Sequence, residues 1–183
     1  KGVTAENSGM ANVVFGNKSN SSLIVGTTSD YFIIKDWEVE QGRIFEEGEL
    51  SSGKSVCILG TTVVKNLFGD ENPIGATIRI KNFPCSVIGV LASKGASSFG
   101  RDQDEVVITP LKMYQRKIQG NLDVSSIIVS VMEEKYIEDA KEQIISLMQD
   151  RRAVKVGESD NFHIRDMKDI LNTMTSTTKM LTY

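Results

Sequence analysis

The chain has 183 residues, 40% hydrophobic and 25% charged, with a net charge of −3 and an isoelectric point near 5.3. That length can bury a core as one domain or two small ones. The acidic balance and the lack of a Lys/Arg-rich block argue against a nucleic-acid partner, and no apolar run approaches the ~20 residues that cross a bilayer.

In chain order, Val13-Val14-Phe15 and Leu23-Ile24-Val25 predict a β-hairpin whose polar loop covers residues 16–22. Ser29 or Asp30 can cap a short helix over residues 30–34. Residues 40–54, rich in Glu and Gly, read as a loop, and residues 55–59 as a buried strand ended by Gly60. Residues 61–68 carry helical spacing, with Val63, Val64, Leu67 and Phe68 on one face, Thr61 or Thr62 as cap and Gly69 just past the end. Asn72-Pro73-Ile74-Gly75 is a turn. Strands follow at 77–80, 85–91 and 105–109, with a polar loop at 93–104. Pro110 opens a helix over 111–119, closed by Gly120.

The last third predicts a strand at 126–132 and an amphipathic helix at 136–150 with Ile137, Ala140, Ile144, Leu147 and Met148 in register. Phe162 and Ile164 then alternate around His163 as a strand, and Asp166 opens a final helix with Met167, Ile170, Leu171, Met174 and Leu181 on one stripe. The chain opens Lys1-Gly2-Val3, and its closing helical pattern has no capping Gly, Asn or Pro, so continuation on both sides is expected. The style change predicts an α+β fold of two lobes. Residues 1–44 and 123–183 form the α/β lobe, and residues 45–122 form an inserted β-rich lobe.

Motifs that could carry chemistry are few. Gly48-Glu49-Leu50-Ser51-Ser52-Gly53-Lys54-Ser55 matches the phosphate-binding pattern GxxxxGK[ST] by letter. Its context is wrong: Phe45-Glu46-Glu47 is a poor buried strand, Val56-Cys57-Ile58-Leu59 is a poor helix, and three Glu crowd the first Gly. His163 is the one histidine, which removes two-histidine metal sites and leaves no HExxH, CxxC or GxSxG pattern. No catalytic, metal or cofactor residue is therefore assigned. Cys57 and Cys85 each lie in an apolar run and read as buried hydrophobes, with a disulfide as the alternative. The loop around Ser97, Ser98, Phe99 and Arg101 is the candidate partner-binding site, because long loops are often functional and aromatics anchor interfaces.

Tyr31-Phe32, Gly42-Arg43-Ile44-Phe45, Val56-Cys57-Ile58-Leu59-Gly60, Leu67-Phe68-Gly69, Pro73-Ile74-Gly75, Val87-Ile88-Gly89-Val90 and Pro110-Leu111 occur in the order of the MacB-like ABC transporter permeases. Over nearly its whole length the chain resembles the extracytoplasmic domain of that family. Phe162 with Ile164, Asp169-Ile170-Leu171 and Thr177-Thr178 resemble the stretch where that domain re-enters the membrane. The resemblance implies four transmembrane helices, with this two-lobed domain between the first and second. ATP and Mg would belong to a separate nucleotide-binding domain. It also implies a homodimeric permease in the inner (plasma) membrane, its domain periplasmic in a Gram-negative cell. The implied partners are a MacA-like adaptor and, in such a cell, a TolC-like outer-membrane duct. The expected role is mechanical coupling of ATP hydrolysis to efflux. A lipoprotein-releasing or cell-division permease domain is the alternative within transport, and a small nucleotide-binding enzyme built on residues 48–55 is the alternative outside it. One departure is that the family's first strand and helix find no counterpart before Val3.

Overall fold

The computed structural model describes residues 2–97, 100–152 and 162–166. It is a mixed α+β structure with two compact units, Lys1–Ser130 and Val131–Tyr183.

In the first unit, β1 (Gly2–Phe15) and β2 (Lys18–Thr27) form an antiparallel hairpin. Its turn is only Gly16 and Asn17, and Gly16 has the positive φ of +58° that such a turn requires. The polar residues expected in a loop instead continue the strand, with Asn20 opposite Val13 and Ser22 opposite Ala11. The ladder bonds main-chain groups, so polar side chains do not end it. Ser22 is itself fully buried and receives a 2.9 Å hydrogen bond from Asn20 Nδ2.

β2 runs parallel to β7 (Val106–Pro110), which pairs antiparallel with β4 (Val56–Leu59). β4 is parallel to β6 (Phe83–Leu91), and β6 is antiparallel to β5 (Thr77–Ile80). β5 then returns to β1 through Val13 opposite Ile80 and Val14 opposite Arg79. Because β1 also pairs with β2, these six strands close into a ring and leave few open edges. β3 (Val39–Gly42) extends the ring along the end of β6, and β8 (Ser126–Ser130) lies along the first residues of β1.

Alternation across these strands feeds two cores. One holds Val13, Ile24, Leu59, Ile78, Val87 and Val107, sealed by α3 (Thr61–Leu67) and by Phe15 stacked on Phe68 at 4.1 Å. The other holds Val25, Ile58 and Ile108 with Tyr31 and Phe32 of α1 (Asp30–Ile34), Trp37 and Phe45. Two-sided burial explains why β4 and β7 read as unbroken apolar runs in the sequence.

The segment expected to be a loop before β4 contains β3 and α2 (Glu47–Ser52). Glu46 and Glu49 form a reciprocal capping box at the start of α2, and Gly53 closes it with a left-handed φ of +69°. After Pro110 the chain makes one turn of α4 (Leu111–Met113) and then a π-helical turn over Tyr114–Gln119. The wider turn presents Gln115 and Gln119 to the returning chain. Gln115 Nε2 bonds the Leu122 and Asp123 carbonyls at 2.9 and 3.2 Å. Asn7, buried in β1, donates to Gln119 Oε1 and the Asp123 carbonyl at 2.6 Å each and accepts from Ser125 N at 2.6 Å. This knot fixes the approach to β8.

The expected division at residues 44 and 45 runs through this ring, since β1 and β2 share it with β4 to β7. The pairings responsible join residues roughly 80 apart, so no local pattern signals them. In the second unit, α5 (Ile137–Arg152) bears out the expected helix. Ile137, Ala140, Ile144 and Met148 are half-buried at helical spacing, whereas Leu147 is 55% exposed. Residues 162–166 are not a strand, as the alternation around His163 had suggested, and Lys141 Nζ pairs with Asp166 Oδ2 at 2.6 Å. The expected final helix, 167–183, lies outside the described residues.

Candidate functional site

The loop at 93–104 is tied at its base by one carboxylate. Asp104, 3% exposed, accepts from the Ser93 hydroxyl and from the backbone amides of Lys94 and Gly95 at 2.8 and 3.0 Å. Burial alone would raise its carboxyl pKa, but the hydrogen bonds from Ser93, Lys94, Gly95 and the Thr61 hydroxyl outweigh it and hold the group below its ordinary value. Asp102 adds a second tie, accepting from Thr62 Oγ1 at 2.7 Å and from Asp104 N at 2.8 Å. Ala96 and Asp102 form an isolated bridge, and Ser97 N donates to the Arg101 carbonyl at 2.8 Å. The loop is thus a braced hairpin. Ser97 and Arg101 sit near its tip, while Ser98 and Phe99 lie outside the described residues. Asp102 and Asp104 are its internal fastenings.

Residues 48–55 are the reverse of a phosphate-binding loop. Helix α2 comes first, spanning Gly48, and strand β4 follows Ser55. The side chain of Lys54 points to Glu49, with Nζ 3.2 Å from Oε1. Glu49 is 4% exposed and also receives both Arg43 guanidinium nitrogens at 2.8 and 2.9 Å and Glu46 N at 3.1 Å. The Arg43 hydrogen bonds come first among the forces that lower its carboxyl to about 2. The lysine that would reach a phosphate is therefore matched by a structural carboxylate.

Other chemically capable groups are structural as well. Cys57 and Cys85 are both buried thiols, and Cys57 Sγ lies 3.6 Å from the Ser86 carbonyl. Burial first, and contact with Cys85 second, push the Cys57 thiol up. Among the described residues no group of three or more His, Cys, Asp or Glu could hold a metal ion, and no helix is long and apolar enough to cross a membrane.

The model of the MacB-like periplasmic core domain matches residues 1–147 of this sequence. The chain belongs to that family. Among curated relatives of this MacB-like domain, the macrolide export ATP-binding/permease protein MacB of Chlorobium luteolum is 34% identical over 181 residues. That match covers 99% of this chain and 27% of the relative. The MacB of Rhodospirillum rubrum is 37% identical, covering 87% of this chain and 24% of the relative. The domain thus spans about a quarter of the length of those relatives. Among solved structures, the periplasmic region of MacB from Actinobacillus actinomycetemcomitans superposes with a TM-score of 0.79 at 25% identity. It covers 96% of this chain and 76% of its own. The extracellular domain of the noncanonic ABC-type transporter YknZ from Gram-positive bacteria shares the fold, with a TM-score of 0.73 at 23% identity over 85% of this chain and 78% of its own. The motif order read from the sequence is borne out by these matches.

Proposed function

We propose that this MacB-like domain is the extracytoplasmic, non-catalytic part of an ABC-type efflux permease. It couples ATP hydrolysis in a separate nucleotide-binding domain to export through a MacA-like adaptor. The observation that carries this reading is the family match over residues 1–147 together with the likeness to the periplasmic region of a MacB. The side-chain chemistry supports it: the candidate phosphate-binding lysine is engaged by Glu49, and the loop acids serve as fastenings. In this role the permease works as a homodimer, and in a Gram-negative cell it meets a TolC-like duct. The braced loop at 93–104 contributes to adaptor contact, because its fastened base holds Ser97 and Arg101 in place at low entropic cost.

The test is made in the full-length transporter. Phe99→Ala and Arg101→Ala are expected to weaken adaptor binding and export without lowering the unfolding midpoint. Unchanged affinity and export would remove the loop from the contact.

A further inference from the structure

The domain gathers part of its positive charge on one short stretch away from the loop at 93–104. Residues 111–120 contain Lys112, Arg116 and Lys117 and no carboxylate. Each of these cations is held by the adjacent chain rather than by an acid. Lys112 Nζ donates to the Ser51 carbonyl at 2.8 Å and Arg116 Nη1 to the Ser52 carbonyl at 3.1 Å. Lys117 Nζ donates to Ser55 Oγ at 2.6 Å and lies 5.9 Å from the centre of the Phe83 ring. Lys81, in the turn between β5 and β6, closes the set with a 2.9 Å bond from Nζ to the Ile118 carbonyl.

Through these bonds Lys112, Arg116 and Lys117 lie along the segment from Ser51 to Ser55, with Lys117 beside Phe83, which is 37% exposed, and Lys81 at the adjoining turn. Among the described residues none of the four has a carboxylate within 4.0 Å. Of the two acids on α2, Glu49 is already matched by Arg43 and Lys54, and Glu47 makes no ion pair with any of the four. Lys81 also carries a φ of +54°, a backbone region that disfavours any side chain with a Cβ and suits Gly or Asn in such a turn. Three carbonyls and the Ser55 hydroxyl accept from the cations but carry no countercharge, so the positive charge is left uncompensated.

We infer that this face docks an acidic surface on a protein partner, with an apolar residue of that partner meeting Phe83. The partner is the adaptor, so the inference rests on the coupling role proposed above. A membrane surface responds to the number of nearby cations, not to their fixed positions. Here the positions are fixed by hydrogen bonds and one cation lies against an exposed aromatic, which is how a protein contact gains specificity.

The experiment measures adaptor affinity for the full-length transporter in nanodiscs at 50 and 300 mM salt. The double variant Lys112→Gln/Arg116→Gln is expected to bind about tenfold more weakly at low salt and to lose much of the salt dependence. Lys112→Arg/Arg116→Lys, which keeps the charge, is expected to restore both. Equal affinity of the Gln variant and the parent would overturn this face while leaving the adaptor role standing. No adaptor binding by the parent would overturn the role and this inference together. A further arm uses vesicles containing 30% phosphatidylglycerol. Loss of vesicle binding in the Gln variant with unchanged adaptor affinity would make the face a membrane contact and overturn the inference.

Discussion

Replacing Glu49 by Gln keeps the shape of the side chain and removes its charge. The carboxylate is 4% exposed and accepts four hydrogen bonds, two of them from one guanidinium. Lowering a carboxyl from 4.5 to about 2 corresponds to at most about 3 kcal/mol of folding stability. Arg43 and Lys54 are 43% and 61% exposed, so solvent screening reduces the expected loss at pH 7 to about 2 kcal/mol. Urea unfolding followed through Trp37, the one tryptophan and a member of the second core, reads this as a midpoint lower by about 1 M. The pH dependence gives the sign. The folded carboxyl titrates below the unfolded one, so its stabilisation is complete above pH 4.5 and is lost as pH falls toward 2. The gap between parent and variant should therefore close on acidification. Equal midpoints at pH 7, or a gap that persists undiminished at pH 2.5, would refute the reasoning.

Three further outcomes follow from contacts in the first unit. Gly26→Ala would place a Cβ 2.2 Å from Tyr114 Cβ and should cost about 3 kcal/mol in urea unfolding, whereas Gly48→Ala, inside α2 with open space around it, should cost nothing and gain up to about 1 kcal/mol. Asn7→Asp would replace a double donor with a carboxylate oxygen facing two oxygen acceptors and should cost about 3 kcal/mol at pH 7, with partial relief when unfolding is repeated at acid pH. Cys57 and Cys85 should be alkylated at the rate of unfolding, so reaction that stays fast in the absence of denaturant would contradict their burial.

The legible part of the fold was the part written locally. The α3 segment announced itself through apolar spacing and Gly69, and β4 through an unbroken apolar run. The β1–β2 hairpin is longer than its apolar runs suggest, because main-chain pairing continues past the polar residues. α2 was hidden by its Glu and Gly content, yet Glu46 and Glu49 were a capping pair at the right spacing. The π-helical turn and the ring closure through Val13 and Ile80 depend on long-range contacts, for which the sequence carries no local signal. At the candidate site, length and an aromatic pointed to the loop, but the role of Asp102 and Asp104 as fastenings needed the geometry. The set of Lys81, Lys112, Arg116 and Lys117 has no local signal, because it is split between residues 81 and 112–117 in sequence.

The central claim is that this domain transmits motion to an adaptor and does no chemistry of its own. The most direct measurement replaces residues 2–166 of the full-length transporter with a short flexible linker and follows ATP turnover and export side by side. Basal ATP turnover is predicted to persist while adaptor stimulation and export disappear. Export that survives the replacement would contradict the account.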